Sequence, residues 1–325
     1  MWLYRTLDEE TDERFGKEPE KRDLEELKKT GIIVLDKHIG PTSHQITSEV
    51  KNLLKINKCG HIGTLDPNAS GVLPILLERS TRLAPLFFGL DKEYIGIMHL
   101  HKDLDENFLN DFVQKNFVGE IIQIPPRKSA VARRPRKRKV YEFEIIEKEG
   151  KDVLFRVICQ AGFYVRKYVH DIGLKIKAGA HLTELRRISI GIYDETKKFY
   201  KKIFKEEDAV TMILINDLVL TERFDELKKI IKPAEYYLDH VKKIFVKDSA
   251  IYYLTNGSPL FVSGITRVQE NIKKGDIVAI FSLKNELIAF GYATMDAEEM
   301  VKEKKGKAVR IDRVFIEKGI YPKLP

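Results

Sequence analysis

The chain has 325 residues, 43% hydrophobic and 33% charged, which is enough to bury ordinary globular cores and excludes wholesale disorder; the length suggests two domains with an extra arm. Two cysteines, Cys59 and Cys159, exclude a disulfide framework or a cysteine-rich zinc site, and apolar runs such as 213–215 and 72–77 fall far short of the ~20 residues of a membrane span. The net charge of +8 is uneven: residues 8–26 hold ten acids and four bases, a local −6 that leaves +14 for the rest, a balance that points to a polyanionic partner, most simply nucleic acid.

Met1-Trp2-Leu3-Tyr4 runs directly into acids, without the basic and apolar regions of a signal peptide, so a soluble, cytoplasmic protein is expected. Residues 1–30 read as a polar arm in which 22–29 can form a short helix. The run 31–36 predicts a strand that opens the folded body. After a turn at 37–41, Thr42 or Ser43 caps a predicted helix to about Leu54, with Ile46, Val50, Leu53 and Leu54 as its apolar stripe. Strands are expected at 94–100, 140–147 and 153–159, a helix at 164–176, and a closing strand at 185–192. This order is mixed α+β with a sizeable, largely antiparallel sheet flanked by helices and loops.

Residues 194–240 change texture. A Lys/Glu-rich stretch at 197–208 looks like a connector, a helical segment spans about 217–231, and Pro233 signals another helix start. Beyond it, five short β-runs (244–246, 259–262, 276–281, 287–293 and 308–315) separated by turns predict a small β-barrel-like domain. The expected divisions are an acidic extension at 1–30, a catalytic domain at 31–240 that includes the connector, and an RNA-binding domain at 241–325.

The densest signal is Gly60-His61-Ile62-Gly63-Thr64-Leu65-Asp66-Pro67-Asn68-Ala69-Ser70-Gly71. Its glycines and prolines fix an irregular backbone around one carboxylate, and Pro67 confines Asp66 to extended conformations. Standing alone, Asp-Pro is an ordinary turn. The whole block, however, resembles the signature of the TruB and dyskerin branch of pseudouridine synthases, in which the Asp of Gly-Thr-Leu-Asp-Pro is catalytic. Further motifs follow in order. Residues 35–45 are similar to the family's opening strand–turn–helix, Lys92-Glu93-Tyr94 to its Lys-x-Tyr element, Gly162-Phe163-Tyr164-Val165-Arg166 to its Gly-x-Tyr-Ile-Arg helix start, and Leu185-Arg186-Arg187 to its final strand. The stretch from Val246 through Ile280 looks like a PUA domain, and the dyskerin side, with archaeal homologues, fits better than the bacterial one.

The resemblance implies an isomerase that breaks the C1′–N1 bond of uridine, turns the uracil and reattaches it through C5. No redox step is involved, so no cofactor or metal is expected; His38, His44, His99 and His101 show no metal-ligand pattern. The target base must leave its stack, at a cost of a few kcal/mol, for a pocket that grips it. By resemblance, Asp66 acts as nucleophile at C1′ or as base at C2′, Arg166 is its cationic partner, Tyr94 stacks on the uracil and can assist removal of the C5 proton, and Leu185 walls the pocket. His61 shapes the loop or touches RNA. Arg127, Lys128, Arg133, Arg134, Arg136, Lys137, Arg138 and Lys139 form a run without acids, read as a loop that closes on RNA phosphates at the place of the family's thumb loop.

Implied partners are an H/ACA guide RNA and a ribosomal RNA substrate, or tRNA, together with a small zinc-ribbon protein, a glycine-arginine-rich-type protein and a kink-turn-binding ribosomal-type protein. The PUA domain would hold the foot of the guide RNA or a tRNA 3′ end; the stretch 250–263, with Tyr252, Tyr253 and Asn256-Gly257, is a candidate for its base-reading surface. Two rival readings are a stand-alone tRNA pseudouridine synthase and a non-catalytic RNA scaffold. The Asp66, Tyr94 and Arg166 set speaks against the scaffold.

Overall fold

The computed structural model describes residues 1–6, 11–125, 132 and 134–324, and builds them around two sheets. The larger has eleven strands. Its path runs Val210–Thr211, Gly31–Lys37, Ser70–Leu77, Ala180–Asp194, Asp91–Leu100, Asp152–Cys159, Arg136–Glu149 and Gly119–Gln123. Phe199–Lys205, Lys232–Pro233 and Cys59–His61 attach to its flanks. Pairing is antiparallel except where Val210–Thr211 meets 35–36 and where Ser70–Gly71 meets Arg186–Arg187.

The opening strand, Gly31–Lys37, is buried on both faces, which explains its unbroken apolar run. Ile33 and Leu35 face one core, shared with Ile46 and Val50 of the helix Ser43–Leu53 and with Tyr168, Val169 and Ile172 of the helix Val165–Lys175. Ile32 and Val34 face a second core, shared with Leu83, Phe87, Phe204 and Tyr237 and, from the C-terminal sheet, Phe245, Phe281 and Phe290. The helix Ser43–Leu53 starts as its sequence predicts, with a reciprocal capping box between Thr42 and Gln45.

The smaller sheet has seven strands in the order Trp2–Tyr4, Ile265–Gln269, Lys242–Val246, Ile277–Phe281, Leu287–Ala293, Lys307–Val314 and Leu260–Phe261, wrapped about its own core of Ile244, Ile251, Ile280, Ile288 and Val309. Its first strand comes from the N-terminus, where Trp2, Leu3 and Tyr4 pair with Gln269, Val268 and Arg267. From Thr11 onward the arm is bonded to residues far along the chain. Thr11 donates to Asp248 (2.9 Å), Lys284 donates to the carbonyls of Asp12 and Phe15, and Arg22 forms a two-pronged pair with Glu235.

Three sequence expectations change. The segment 217–231 is not one helix: Met212–Leu220 ends at Thr221, Glu222 turns the chain with φ +54°, and a second helix runs over Phe224–Ile230. The lysine-rich stretch at 197–208 is not a mere connector, because Phe199–Lys205 is a strand paired with Ser189–Asp194, seated by the buried Phe204. Finally, Arg136, Lys137, Arg138 and Lys139 do not lie in a loop; they begin the strand Arg136–Glu149 and pair with 120–123. Alternation at these four positions is masked by their charge, and the partner strand, not their composition, makes them β.

Candidate active site

Asp66 sits on the link between the short strand Cys59–His61 and the strand Ser70–Leu77. Backbone-directed bonds from both sides fix that link. Lys37, fully buried at the end of the opening strand, donates its ammonium to the carbonyls of Ala69 (2.8 Å), His38 (2.9 Å) and Pro67 (3.4 Å). Ser43, in the first turn of its helix, both donates to the carbonyl of Leu65 (3.0 Å) and accepts from its N–H (2.9 Å). Gly40 N–H donates to Pro67, and Ala69 N–H donates to the carbonyl of Asp66 itself. These bonds satisfy the polar backbone of an irregular, partly buried segment and leave the Asp66 side chain outside, 68% exposed.

Opposite it, Arg166 occupies the first turn of the helix Val165–Lys175, whose buried Val165, Tyr168 and Val169 turn the arginine outward; its Nη2 lies 3.7 Å from Asp66 Oδ2. Tyr94 points from the strand Asp91–Leu100 into the core below, nearly buried. Its hydroxyl interacts with the Arg187 guanidinium, and burial raises the phenol's pKa, so it stays protonated at neutral pH. Leu185 is half-buried, paired with Gly96 two residues beyond Tyr94, and packs on the core that contains Tyr94. Four sequence-predicted residues therefore converge from four separate elements.

Arg187 stands in the Leu185-Arg186-Arg187 motif, where sequence reading assigns it no role of its own, yet it ties the site together. It is 1% exposed, donates from Nε to the carbonyl of Val72 (2.8 Å) and from Nη2 to that of Gly63 (2.6 Å), and so grips the Asp66 link on both sides while bonding Tyr94. Gly63 (φ +66°) and Gly71 (φ +102°) allow this approach. A Cβ on Gly71 would lie 2.1 Å from the Arg187 carbonyl oxygen, where the two strands run parallel. The signal that could have found Arg187 is strand periodicity, since it lies at i+2 from Leu185 and so shares its face. Lys37 lies within the opening motif at 35–45, where nothing but its place at the end of an apolar strand marks a structural role.

His61 borders the link. Its Nε2 lies 3.0 Å from Thr64 Oγ1, and its ring meets that of His44 edge-on at 5.1 Å. Burial, then the charges of His44 and Arg187, push its pKa down to about 4, so it is neutral at pH 7. Among the basic run, Arg127, Lys128 and Arg133 lie outside the described residues. Arg134 is exposed, and Lys137 pairs with Glu120 (2.8 Å). Arg138 donates to the carbonyl of Gly162 (3.1 Å), four residues before Arg166, and Lys139 pairs with Glu195. The run is thus joined to the rim of the site, with part of its charge already neutralised.

Among the described residues no group of three or more His, Cys, Asp or Glu is placed to hold a metal ion, and no helix is long and apolar enough to cross a membrane. An exposed carboxylate, held by a rigid link and faced by an arginine above a buried tyrosine, is suited to attack or deprotonate a sugar carbon of a ligand lying on it.

Family models match nearly the whole chain. They are the DKCLD (NUC011) domain over 3–47, the TruB family pseudouridylate synthase N-terminal domain over 51–165, the tRNA pseudouridylate synthase B C-terminal domain over 166–239 and the PUA domain over 242–315. A probable tRNA pseudouridine synthase B of Thermococcus onnurineus is 46% identical over 322 residues, 97% of this chain and 92% of that protein. Its counterpart in Nanoarchaeum equitans is 45% identical over 315 residues, 97% of this chain and 88% of that protein. Among solved structures, a chain in a crystal structure of a Cbf5–Nop10–Gar1 complex superimposes with a TM-score of 0.88 at 43% identity, covering 100% of this chain and 96% of that one. A chain of an H/ACA RNP bound to a substrate RNA containing 2′-deoxyuridine gives 0.86 at 41%, covering 99% and 96%.

Proposed function

The chain belongs to the TruB and dyskerin family of RNA pseudouridine synthases, and from that premise we propose that it is the catalytic subunit of a guide-RNA-directed H/ACA ribonucleoprotein that isomerises selected uridines of ribosomal RNA. The observation that carries the assignment of chemistry is the Asp66–Arg166 juxtaposition, 3.7 Å apart across two elements, on a link that Lys37 and Arg187 hold rigid. In this reading Asp66 attacks or deprotonates the ribose of the flipped uridine. Arg166 faces that carboxylate from the first turn of its helix and, being largely exposed, is also placed to take a phosphate when RNA enters. Tyr94 lies beneath the uracil as a neutral phenol oriented by Arg187, and Leu185 closes the apolar wall. His61 and the basic segment around 127–138 contact the RNA.

The reading extends to organisation and partners. Residues 31–240 form the catalytic body, 241–325 the part that holds guide RNA, and 1–30 the arm laid on it. The solved relatives were captured with Nop10 and Gar1 and with a substrate RNA, which supports a zinc-ribbon and a glycine-arginine-rich partner here. A kink-turn-binding protein would complete the particle, and the cytoplasm is its place of work. A second reading is favoured by the names of the sequence relatives, each a probable tRNA pseudouridine synthase B: the protein also modifies tRNA without a guide.

The test is tritium release from uracil C5 with wild-type protein and Asp66→Asn, on tRNA alone and on target RNA with guide RNA and accessory proteins. Release only in the guided mixture, lost in the variant, is the expected result. Release from tRNA alone favours the second reading, and no release anywhere with guide RNA still bound leaves an RNA scaffold.

A further inference from the structure

The lysine-rich stretch at 197–205 has no part in the chemistry above, yet the fold places it next to that chemistry. It is the returning strand of a hairpin whose outgoing strand, Ala180–Asp194, carries Leu185 and Arg187. We propose that this hairpin is an RNA-contact surface separate from the basic segment at 127–139, taking the phosphate backbone of the RNA that lies over the catalytic cleft, with Phe199 offering a face for a base. The proposal rests on the reading of the chain as an RNA pseudouridine synthase.

Register locates the hairpin. Asp91 pairs with Gly191, Lys92 with both Ile190 and Cys159, and Cys159 with Val140. The ladder that contains Tyr94 therefore ends level with residues 190–191. Beyond it, at the same end of the sheet, project the tip of the hairpin and the strand residues Arg136–Lys139. The two projections are joined. Lys139 pairs with Glu195 at the tip, and the rings of Tyr141 and Tyr193 stack 4.5 Å apart with 12° between their planes. Arg138, from the same strand, holds the carbonyl of Gly162 ahead of Arg166. The hairpin tip, the basic strand and the catalytic arginine thus form a continuous rim.

The charge on that rim is open. Residues 194–205 hold five lysines and two acids. One lysine is structural: Lys202 reaches the buried Glu93 carboxylate at 3.0 Å. Both acids are already engaged, Glu195 with Lys139, and Asp194 with the N–H and hydroxyl of Thr196. Lys197 approaches Asp194 only at 3.5 Å and stays 77% exposed. Lys198, Lys201 and Lys205 are exposed and make no ion pair with any described residue. Lys201 lies within electrostatic reach of Asp239, but that carboxylate is paired with Lys243.

Between these lysines, Phe199 is 59% exposed on a strand that had the inward positions of Tyr200 and Phe204 available for burial. Interleaved cations and an exposed ring on a rigid ribbon are what single-stranded RNA binds, by phosphate neutralisation and stacking. A merely solvated face needs the lysines but not the ring, nor the attachment of the tip to the basic strand.

The experiment compares full-length wild type, the triple variant Lys197→Ala/Lys198→Ala/Lys201→Ala, Phe199→Ala, and a control, Lys228→Ala/Lys229→Ala, on a surface helix away from the rim. Binding of a tRNA transcript and of a guide–target RNA pair is measured from 50 to 300 mM salt, with circular dichroism confirming the fold. Each lost phosphate contact makes the slope of log K against log salt shallower by about 0.7–0.9. The triple variant is expected to lose about two such contacts, to bind about tenfold or more weakly at low salt, and to raise KM for tritium release while leaving kcat unchanged. Phe199→Ala should weaken binding without changing the slope. An unchanged slope and affinity in a folded triple variant, or an equal effect of the control pair, overturns the proposal. Asp66→Asn, expected to bind with the wild-type slope and release no tritium, separates this outcome from failure of the enzymatic reading, which a silent wild type would signal while the slopes still report on the hairpin.

Discussion

Asp66 is the most exposed member of its own site, and the residues that fix it are the most buried. Lys37 and Arg187 act through carbonyl oxygens, so a change at either reaches the carboxylate without touching the ligand. His61, at the start of the same link, is only partly buried. It is neutral in the folded protein because its pKa falls from the ordinary 6.5 to about 4, whereas in the unfolded chain it takes up a proton near 6.5. Between these values the unfolded state binds more protons, so His61 contributes a loss of stability as pH falls from about 6.5 towards 4. His61→Gln, which can still bond Thr64, should shrink the gap between urea midpoints at pH 7 and pH 4.5; an unchanged gap would mean the imidazole titrates alike in both states. What the sequence shows at this scale is uneven. Asp66, Tyr94 and Arg166 stand inside compact motifs. The roles of Lys37 and Arg187 do not, because the bonds by which they hold the Asp66 link go to backbone carbonyls 30 or more residues away, and no side-chain pattern advertises a carbonyl.

The long elements are legible wherever one face is apolar, as in the helix begun at Ser43, which also carries a capping box, the helix begun at Val165 and the strand ending at Leu100. Elements escape where polar composition hides pairing, as at Phe199–Lys205, or where Pro74 interrupts a strand that nonetheless pairs on both sides. One contact between elements decides the site, the parallel meeting of Ser70–Gly71 with Arg186–Arg187. Gly71→Ala forces a Cβ against the Arg187 carbonyl at a positive φ, so it should cost about 2–4 kcal/mol in denaturant unfolding and lower tritium release more than RNA binding. Wild-type stability in that variant would show that the strands can part without harm.

Across the whole molecule, the N-terminal arm links both sheets. Its strand Trp2–Tyr4 extends the smaller sheet, and Arg22, 7% exposed, bonds both carboxylate oxygens of Glu235, which also accepts from Leu287 N–H in that sheet (3.1 Å). Arg22→Met leaves a buried carboxylate without its cation and should cost about 3–5 kcal/mol, with Glu235→Gln in the same background restoring part of the loss. If Arg22→Met unfolds at the wild-type denaturant concentration, the pair is not holding the arm. The acidic stretch announces an arm in the sequence, but not its attachment, which runs through pairs more than 200 residues apart. The grip of Arg187 on Gly63 and Val72 has a similar reach, 124 and 115 residues back along the chain. During synthesis, therefore, the carboxylate leaves the ribosome long before the strand that pins its backbone. Until residue 187 has emerged and closed that loop of chain, the segment carrying Asp66 has only the bonds from Lys37, Gly40 and Ser43 to hold it, and lacks the grip on its two flanks. The last of the contacts that shape the site is therefore made only after more than half of the chain has been synthesised.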